Sequence, residues 1–227
     1  MIREVHELEL SSECNLACVY CPHPTLKRAK AHMSMDTFQH ALKHVAHYVR
    51  AGTQTELALT GIGEAILHPR FAECVALARA TIGSRLLTMA TNGVAFTREH
   101  AIVCREFGVQ VYVSLHRPEM AGPALALLRE ERVVHNVNHA FVNSSLDWAG
   151  QVDWHVSAQK TPCMYLKLGW AVIRQCGSVD QCCQDAHSLY PLGHVHDEPG
   201  TWRAAMTPLC KSCHLQVPES FRTVEAA

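Results

Sequence analysis

The chain has 227 residues, of which 48% are hydrophobic, and a formal net charge of −1. This length suits one domain or one domain with a small appendage, and the charge excludes the basic excess expected where nucleic acid is the main partner. No stretch approaches the length of a membrane span, and the N-terminus has no apolar signal core. We therefore expect a cytoplasmic protein without membrane association.

Predicted strands and helices alternate along most of the chain. Alternating or wholly apolar runs predict six strands, at 4–10, 55–60, 85–90, 109–115, 133–142 and 152–156. Helical spacing of apolar residues predicts helices at 35–49, 69–80, 98–107 and 123–131. Ser34 is placed to cap the first helix, and the last connection between strands is too short for much helix.

This alternation predicts an α/β fold with a parallel sheet and helices outside it. Six units are too few for a closed eight-stranded barrel, so we expect a partial, open (β/α)6 TIM-like barrel. After Pro162 cysteines become dense and hairpin-like segments, including one through 166–174, replace the strand–helix units. We therefore predict a barrel domain at 1–158 and a small cysteine-rich C-terminal domain at 159–227.

Eleven cysteines are many for a soluble chain of this size, and in a reducing compartment they indicate metal binding. Cys14, Cys18 and Cys21 follow the first strand with the spacing C-x3-C-x2-C. Three thiolates can hold one face of an iron–sulfur cluster and leave one iron of a four-iron cube open. The spacing alone would also suit a zinc loop. Cys74 and Cys104 lie on apolar helix faces and are predicted to be core thiols.

Four later cysteines form a second candidate set: Cys163, Cys182, Cys210 and Cys213. Two distant segments, one of them a C-x2-C, supply four thiolates, which is a complete ligand set for zinc or for a second [4Fe–4S] cluster. Cys183 is an alternative to Cys182 as the ligand.

Two motifs resemble those of the radical S-adenosylmethionine (AdoMet) superfamily. The first is the cysteine loop, in which Tyr20 precedes the third cysteine. The second is Thr60-Gly61-Ile62-Gly63-Glu64 after the second strand, which is similar to the family's glycine–glycine–glutamate motif. In the family, the backbone of this motif meets the methionine amino group. Ile62 replaces one glycine here, and Ala65 stands where proline is usual.

The third and fourth strands end in Thr91-Asn92-Gly93 and Ser114-Leu115-His116, positions that face AdoMet in this family. The resemblance implies a [4Fe–4S] cluster whose open iron chelates AdoMet. Its reduced form cleaves AdoMet to methionine and a 5′-deoxyadenosyl radical, which abstracts a hydrogen atom from an unactivated C–H bond. The implied AdoMet-binding residues are Tyr20, Gly61, Gly63, Glu64, Asn92, Ser114 and His116.

The C-terminal segment resembles the SPASM/twitch appendage of the same superfamily, because Cys163, Gly177 and Cys182 are spaced C-x13-G-x4-C and a C-x2-C follows. A single four-cysteine set is twitch-like and implies one auxiliary [4Fe–4S] cluster on Cys163, Cys182, Cys210 and Cys213. In size and cysteine layout the chain also resembles twitch-containing dehydrogenases that act on aminocyclitol alcohols.

The resemblance implies an oxidoreductase that abstracts a hydrogen atom from a small polar metabolite and passes an electron to the auxiliary cluster. A flavodoxin- or ferredoxin-type protein would supply the reducing electron. The sequence does not identify the base that takes the proton; candidates near strand ends are His116, Arg117, His155 and Asp185. Three alternatives stay open: modification of a ribosomal peptide by crosslinking or epimerisation, modification of a nucleic-acid base, and a non-catalytic iron–sulfur or zinc module.

Overall fold

The strands of the N-terminal half alternate with helices along the chain, as predicted. We describe a computed structural model over residues 1–115, 117–138, 147–153, 162–215 and 217–218. The first five strands are β1 (Glu4–Leu8), β2 (Glu56–Leu59), β3 (Leu86–Thr91), β4 (Val109–Ser114) and β5 (His135–Asn138). The helices that connect them are α1 (Met35–Arg50), α2 (Phe71–Ile82), α3 (Arg98–Glu106) and α4 (Pro118–Glu130).

These five strands are parallel neighbours in the order β5-β4-β3-β2-β1. Each crossover returns the chain to the same end of the sheet, so the carboxyl ends of the strands meet at one edge. The expected α/β fold with an open parallel sheet is confirmed. The loops that follow the strands, which carry the predicted motifs, therefore lie together.

Two helices illustrate how local sequence sets the helix boundaries. The Ser34 side chain accepts a hydrogen bond from the Thr37 backbone N–H at 3.0 Å and caps α1, as predicted. Helix α4 begins at Pro118 rather than at the predicted Pro123. Proline is tolerated in a first helical turn because its missing N–H would have no partner there.

The C-terminal segment continues the same sheet. It contains α5 (Met164–Leu168), β6 (Trp170–Ile173), β7 (Ser178–Asp180) and β8 (Gly193–His194). Strand β6 pairs in parallel with β1 on the side away from β2, and β7 and β8 follow antiparallel. The predicted hairpin through 166–174 is wrong, because those residues form α5 and β6. The hairpin is β6–β7, closed by a turn that ends at Gly177, whose φ of 89° suits glycine.

The predicted sixth strand at 152–156 falls mainly outside the described residues. Val152 and Asp153 are described and are not in a strand. The predicted core thiols Cys74 and Cys104 are fully buried, which confirms that prediction. No helix in the described ranges is both long and apolar enough to cross a bilayer.

Strand β1 has an irregularity that matters for the site. Its register with β6 shifts between Val5 and Glu7, so His6 is an extra residue in the strand. Val5 and Leu8 both pack into the main hydrophobic core although they are three residues apart. Regular alternation would place them on opposite faces. The bulge therefore turns His6 and Glu7 together toward the other face.

Candidate active site

A cleft of about 740 Å³ lies at the carboxyl ends of β1–β4. It brings together nearly all of the residues that the sequence predicted for the first cluster and for AdoMet. These are Cys14, Cys18, Tyr20, Cys21, Gly61, Gly63, Glu64, Asn92 and Ser114. His116, the remaining predicted residue, lies outside the described residues. Strand order and loop position thus assemble one site from four separate segments.

The glycines after β2 allow that turn to pack directly against the start of the cysteine loop. A Cβ added at Gly63 would lie 2.4 Å from the Ser11 carbonyl oxygen and 2.5 Å from that of Glu13. The Glu64 backbone N–H donates to the same Glu13 oxygen at 2.7 Å. Ile62, where the family motif has glycine, donates its backbone N–H to Glu9 Oε1 at 2.8 Å. The isoleucine side chain lines the cleft without disrupting the turn.

Glu64 and Asn92 connect the strand ends to the cysteine loop. The buried Glu64 carboxylate accepts the Asn92 backbone N–H on Oε2 at 2.7 Å, while its Oε1 has no partner at hydrogen-bond distance among the described residues. Burial raises the pKa of Glu64 to about 7. The Asn92 side chain donates to Asn15 Oδ1 at 2.7 Å. The cleft therefore contains a carboxylate oxygen that can accept a donor from a ligand.

The three thiols of the loop suit a metal cluster chemically. Burial raises the pKa of Cys14, and it raises that of Cys21 to about 11, so both are neutral thiols in the absence of a metal. Thiolates are the ligands that iron–sulfur clusters take, and metal binding displaces the thiol protons. Within the described ranges, no three His, Cys, Asp or Glu side chains are arranged to hold a single metal ion. The cluster assignment therefore depends on spacing, donor chemistry and the shared cleft.

A second, apolar cavity of about 390 Å³ contains all four cysteines of the second set. Cys163, Cys182, Cys210 and Cys213 line it, together with three leucines. Burial raises the pKa of the Cys182 thiol well above its ordinary value. Cys183 instead lines a different cavity. This placement favours Cys182 over Cys183 as a member of the set.

A third cavity, of about 950 Å³, lies between the other two; we call it the central cavity. It shares Thr60, Gly61, Ile62, Ala90 and Trp148 with the cleft and Gln184 with the cysteine cavity. Its polar side chains come from seven strands or loops and are His6, Glu7, Thr60, Thr88, Tyr112, Asn138, Arg174, Cys183 and Gln184. A cavity with these polar side chains next to both cysteine sets is suitable for a small polar substrate.

The sequence prediction missed Glu7, Arg174 and Trp148. A signal for Glu7 was available, because His6-Glu7 is a polar pair that interrupts the alternation of the first strand. Arg174 is fully buried in a turn, which the sequence does not reveal.

Trp148 lies in a short segment that links the two cysteine regions. Its indole N–H donates to the Tyr20 carbonyl oxygen at 3.1 Å. Ser212, between the last two cysteines, donates to the Ala149 carbonyl oxygen at 2.8 Å. Trp148 and Ala149 both have positive φ, at 53° and 55°, and Gly150 follows at 82°. The cluster loop and the final cysteine pair are thus held to one connecting turn.

The described candidates for the base do not line any of the three cavities. Arg117 is more than half exposed and lies 3.8 Å from Glu119. The Asp185 carboxylate accepts the backbone N–H groups of Leu189 and Tyr190, each at 2.9 Å, so it stabilises a turn. His116 and His155 lie outside the described residues.

Comparison with known proteins gives a family match and several solved structures of the same fold. A family model described as the radical SAM superfamily matches residues 8–138. The structure of BtrN in complex with AdoMet and 2-DOIA is 22% identical, with a TM-score of 0.69, and the match covers 86% of this chain and 78% of that one. The structure of anSMEcpe with bound AdoMet and Kp18Cys peptide is 14% identical, with a TM-score of 0.62 and coverages of 87% and 79%. No curated protein matches the chain.

Proposed function

The chain belongs to the radical SAM superfamily, and from this premise we propose that it is an oxidoreductase acting on a small polar metabolite. The family implies a [4Fe–4S] cluster and AdoMet. We assign the cluster to Cys14, Cys18 and Cys21, AdoMet to the cleft, the substrate to the central cavity and an auxiliary [4Fe–4S] cluster to the second cysteine set. The observation that carries this proposal is the position of the central cavity between the two cysteine-lined cavities.

The cleft residues can bind and orient AdoMet. When bound, the first cluster and AdoMet supply a 5′-deoxyadenosyl radical. The free oxygen of Glu64 is suited to an ammonium group, because a buried carboxylate gains most from a charged donor. Asn92 and Ser114 present buried polar side chains from the next two strand ends. Trp148 lines both the cleft and the central cavity, where its indole can help to exclude water from a reactive radical.

The second cysteine set can serve as an electron acceptor close to the substrate. Four thiolates form a complete ligand set for a cluster with no open iron, which supplies electron transfer alone. Cys182 faces the cysteine cavity, and its neighbour Cys183 faces the central cavity. Adjacent Cα atoms are about 3.8 Å apart, so the wall between the two cavities is one residue thick at this point. BtrN, whose structure holds AdoMet and 2-DOIA, supports a small-molecule substrate.

The first experiment tests AdoMet cleavage. The protein is reconstituted anaerobically with iron and sulfide, reduced with dithionite, and assayed for 5′-deoxyadenosine by mass spectrometry. Wild type should form it, and the triple variant Cys14→Ala, Cys18→Ala, Cys21→Ala should not. Cys176→Ala is the matched control, because Cys176 is exposed and lines none of the three cavities. Continued 5′-deoxyadenosine formation by the triple variant would refute the cluster assignment.

The second experiment tests the auxiliary cluster. Wild type should contain about eight irons, the sum for two four-iron cubes. Cys182→Ala should lose auxiliary iron while Cys183→Ala keeps it, because only Cys182 lines the cysteine cavity. The double variant Cys210→Ala, Cys213→Ala should retain some AdoMet cleavage and lose substrate oxidation. About four irons with one zinc in wild type would instead identify a structural zinc site.

Peptide modification is the second candidate function. It is supported by the anSMEcpe structure, which holds a peptide with AdoMet. A peptide substrate would accelerate 5′-deoxyadenosine formation where small alcohols and amines do not. An epimerised product would show no requirement for the auxiliary cluster as oxidant, whereas a crosslink is a net two-electron oxidation and would retain that requirement. A reductant of the flavodoxin or ferredoxin type would replace dithionite in either case.

A further inference from the structure

The bulge in β1 presents a carboxylate to the central cavity. Glu7 pairs with Val172 of β6, while Val5 pairs with Ala171, so one extra residue separates them in β1. In a strand with regular alternation, Glu7 would lie on the same face as Val5, two residues before it, and would enter the apolar core. Bulges next to active sites commonly redirect a side chain in this way. Glu7 and His6 both line the central cavity as a result.

Glu7, which is half-buried, differs from the two buried carboxylates of the same segment, Glu4 and Glu9. Glu4 accepts the Glu56 backbone N–H at 3.0 Å, and Glu9 accepts that of Ile62 at 2.8 Å and pairs with Arg28 at 2.7 Å. Both are therefore held by groups that join strands together. Glu7 instead accepts a hydrogen bond from the Tyr165 hydroxyl of α5 and faces the cavity.

Two residues of the cavity wall each contain a buried polar atom that has no partner among the described residues. These atoms are Nη1 of Arg174, a donor, and Oε1 of Gln184, an acceptor. Arg174 is completely buried and held by Asp180 at 2.6 Å. Buried polar atoms are costly without hydrogen bonds, so a ligand that supplies both kinds is favoured here. A hydroxyl group both donates and accepts, and a molecule with several hydroxyls meets this requirement.

We propose that the central cavity binds a small secondary alcohol and that Glu7, presented by the bulge, accepts the proton of the reacting hydroxyl. This inference rests on the proposed function and adds the base that it lacks. Bound AdoMet would supply the radical that takes the hydrogen atom from carbon, and a cluster on the second cysteine set would accept the remaining electron. The oxygen gives its proton to Glu7, so the alcohol becomes a ketone and Glu7 becomes protonated.

The surroundings of Glu7 suit a base. Burial raises its pKa above the ordinary value, which strengthens a carboxylate as a proton acceptor near neutral pH. The Tyr165 hydrogen bond and the charges of His6 and Arg174 lower that pKa, while the charge of Glu9 raises it. The Cys183 thiol, which also faces this region, is neutral because its own pKa is raised to about 12.

The test uses reconstituted enzyme with AdoMet, dithionite and one of four secondary alcohols: myo-inositol, scyllo-inosamine, glucosamine or shikimate. The readouts are 5′-deoxyadenosine and a ketone product two mass units lighter than the alcohol, trapped with hydroxylamine. Glu7→Gln should form 5′-deoxyadenosine and lose ketone formation by about 10²–10⁴-fold, the usual range for a missing acid–base group. Glu7→Asp should restore part of that activity. Glu73→Gln, at an exposed carboxylate, is the matched control and should be unchanged.

The pH profile gives a readout that a purely structural role would not change. Wild-type ketone formation should fall at low pH as Glu7 becomes protonated. Tyr165→Phe removes a hydrogen bond that lowers the pKa of Glu7, so the pKa of Glu7 should rise in this variant. The loss of ketone formation at low pH should therefore begin at a higher pH than in wild type. Melting temperature and iron content verify that each variant is folded and loaded.

The outcomes separate the two proposals. No 5′-deoxyadenosine from wild type would refute the proposed function and the role of Glu7 with it. If wild type forms 5′-deoxyadenosine but oxidises none of the alcohols, the proposed function survives and the alcohol site is refuted. Ketone formation by Glu7→Gln at the wild-type rate and with the wild-type pH profile would refute the role of Glu7 alone.

Discussion

Replacement of Gly63 by alanine tests how closely the β2 turn packs against the cysteine loop. The added methyl group would lie 2.4 Å from the Ser11 oxygen and 2.5 Å from the Glu13 oxygen, whereas ordinary contacts begin at 3.4 Å. Both obstacles are backbone atoms, which cannot move aside as a flexible side chain can. The loop that carries Cys14 must therefore withdraw by about 1 Å, the difference between 3.4 and 2.4 Å.

Two magnitudes follow from that displacement. Overpacking of this kind costs about 1–3 kcal/mol. For a chain of this size each kcal/mol lowers the melting temperature by about 2–4 °C, so we expect a decrease of about 2–12 °C. A misplacement of about 1 Å at a reacting centre can reduce the rate about 10²-fold. AdoMet cleavage should therefore decrease far more than stability does.

The assay compares Gly63→Ala with Gly122→Ala in melting temperature, iron content and 5′-deoxyadenosine formation. Gly122 lies within α4 and a Cβ there would meet nothing within 4 Å. Alanine is preferred to glycine inside a helix by about 0.5–1 kcal/mol, but Pro123 disfavours a Cβ on the helical residue before it, so this control should change little in stability and remain fully active. If Gly63→Ala matches the control in all three measurements, the close packing of turn and loop is not as described.

Two predictions concern stability away from the cleft. Burial lowers the pKa of His44, which stacks on Trp202 at 3.9 Å, so its neutral form is favoured in the folded state. The stabilisation of the folded state by neutral His44 is therefore present above the ordinary pKa of 6.5 and is lost as the pH falls below that value. Because phenylalanine does not titrate, His44→Phe should flatten the dependence of melting temperature on pH between about 5 and 7. Arg174→Met leaves Asp180 as a buried, unpaired charge and should cost about 3–5 kcal/mol in denaturant unfolding, whereas adding Asp180→Leu should recover part of the loss.

Local patterns were sufficient to predict the parallel strands and the residues at their ends. The motifs after β1, β2, β3 and β4 are separated by up to a hundred positions, yet they meet because parallel strands place their carboxyl ends at one edge. The helix cap at Ser34 is also a local effect and was predicted correctly. Each of these features depends on only a few consecutive residues.

Pairing between distant segments could not be predicted from these patterns. Apolar β6 was read as part of a hairpin, because nothing within Trp170–Ile173 indicates that it pairs with β1. The turn at Trp148–Gly150 depends on contacts with the cysteine loop and with Ser212, both distant in sequence. In the sequence, the bulge in β1 is indicated only by the polar pair His6-Glu7, which interrupts the alternation of polar and apolar residues. Each missed feature depends on a register or contact that forms only in the folded chain.

The pairing of β6 with β1 also bears on the choice between oxidation and a redox-neutral reaction. Because β6 extends the sheet beside β1, the turn after β6 brings Arg174 to the wall of the central cavity, and the segment after β7 brings Cys183 there. The bulge that places Glu7 in that cavity arises in the same strand pairing. Under the proposals above, this one strand pairing would supply both a proton acceptor and access to a nearby electron acceptor. An alcohol that has lost a hydrogen atom needs both groups to become a ketone, whereas an epimerisation needs neither, so we infer that the arrangement favours oxidation.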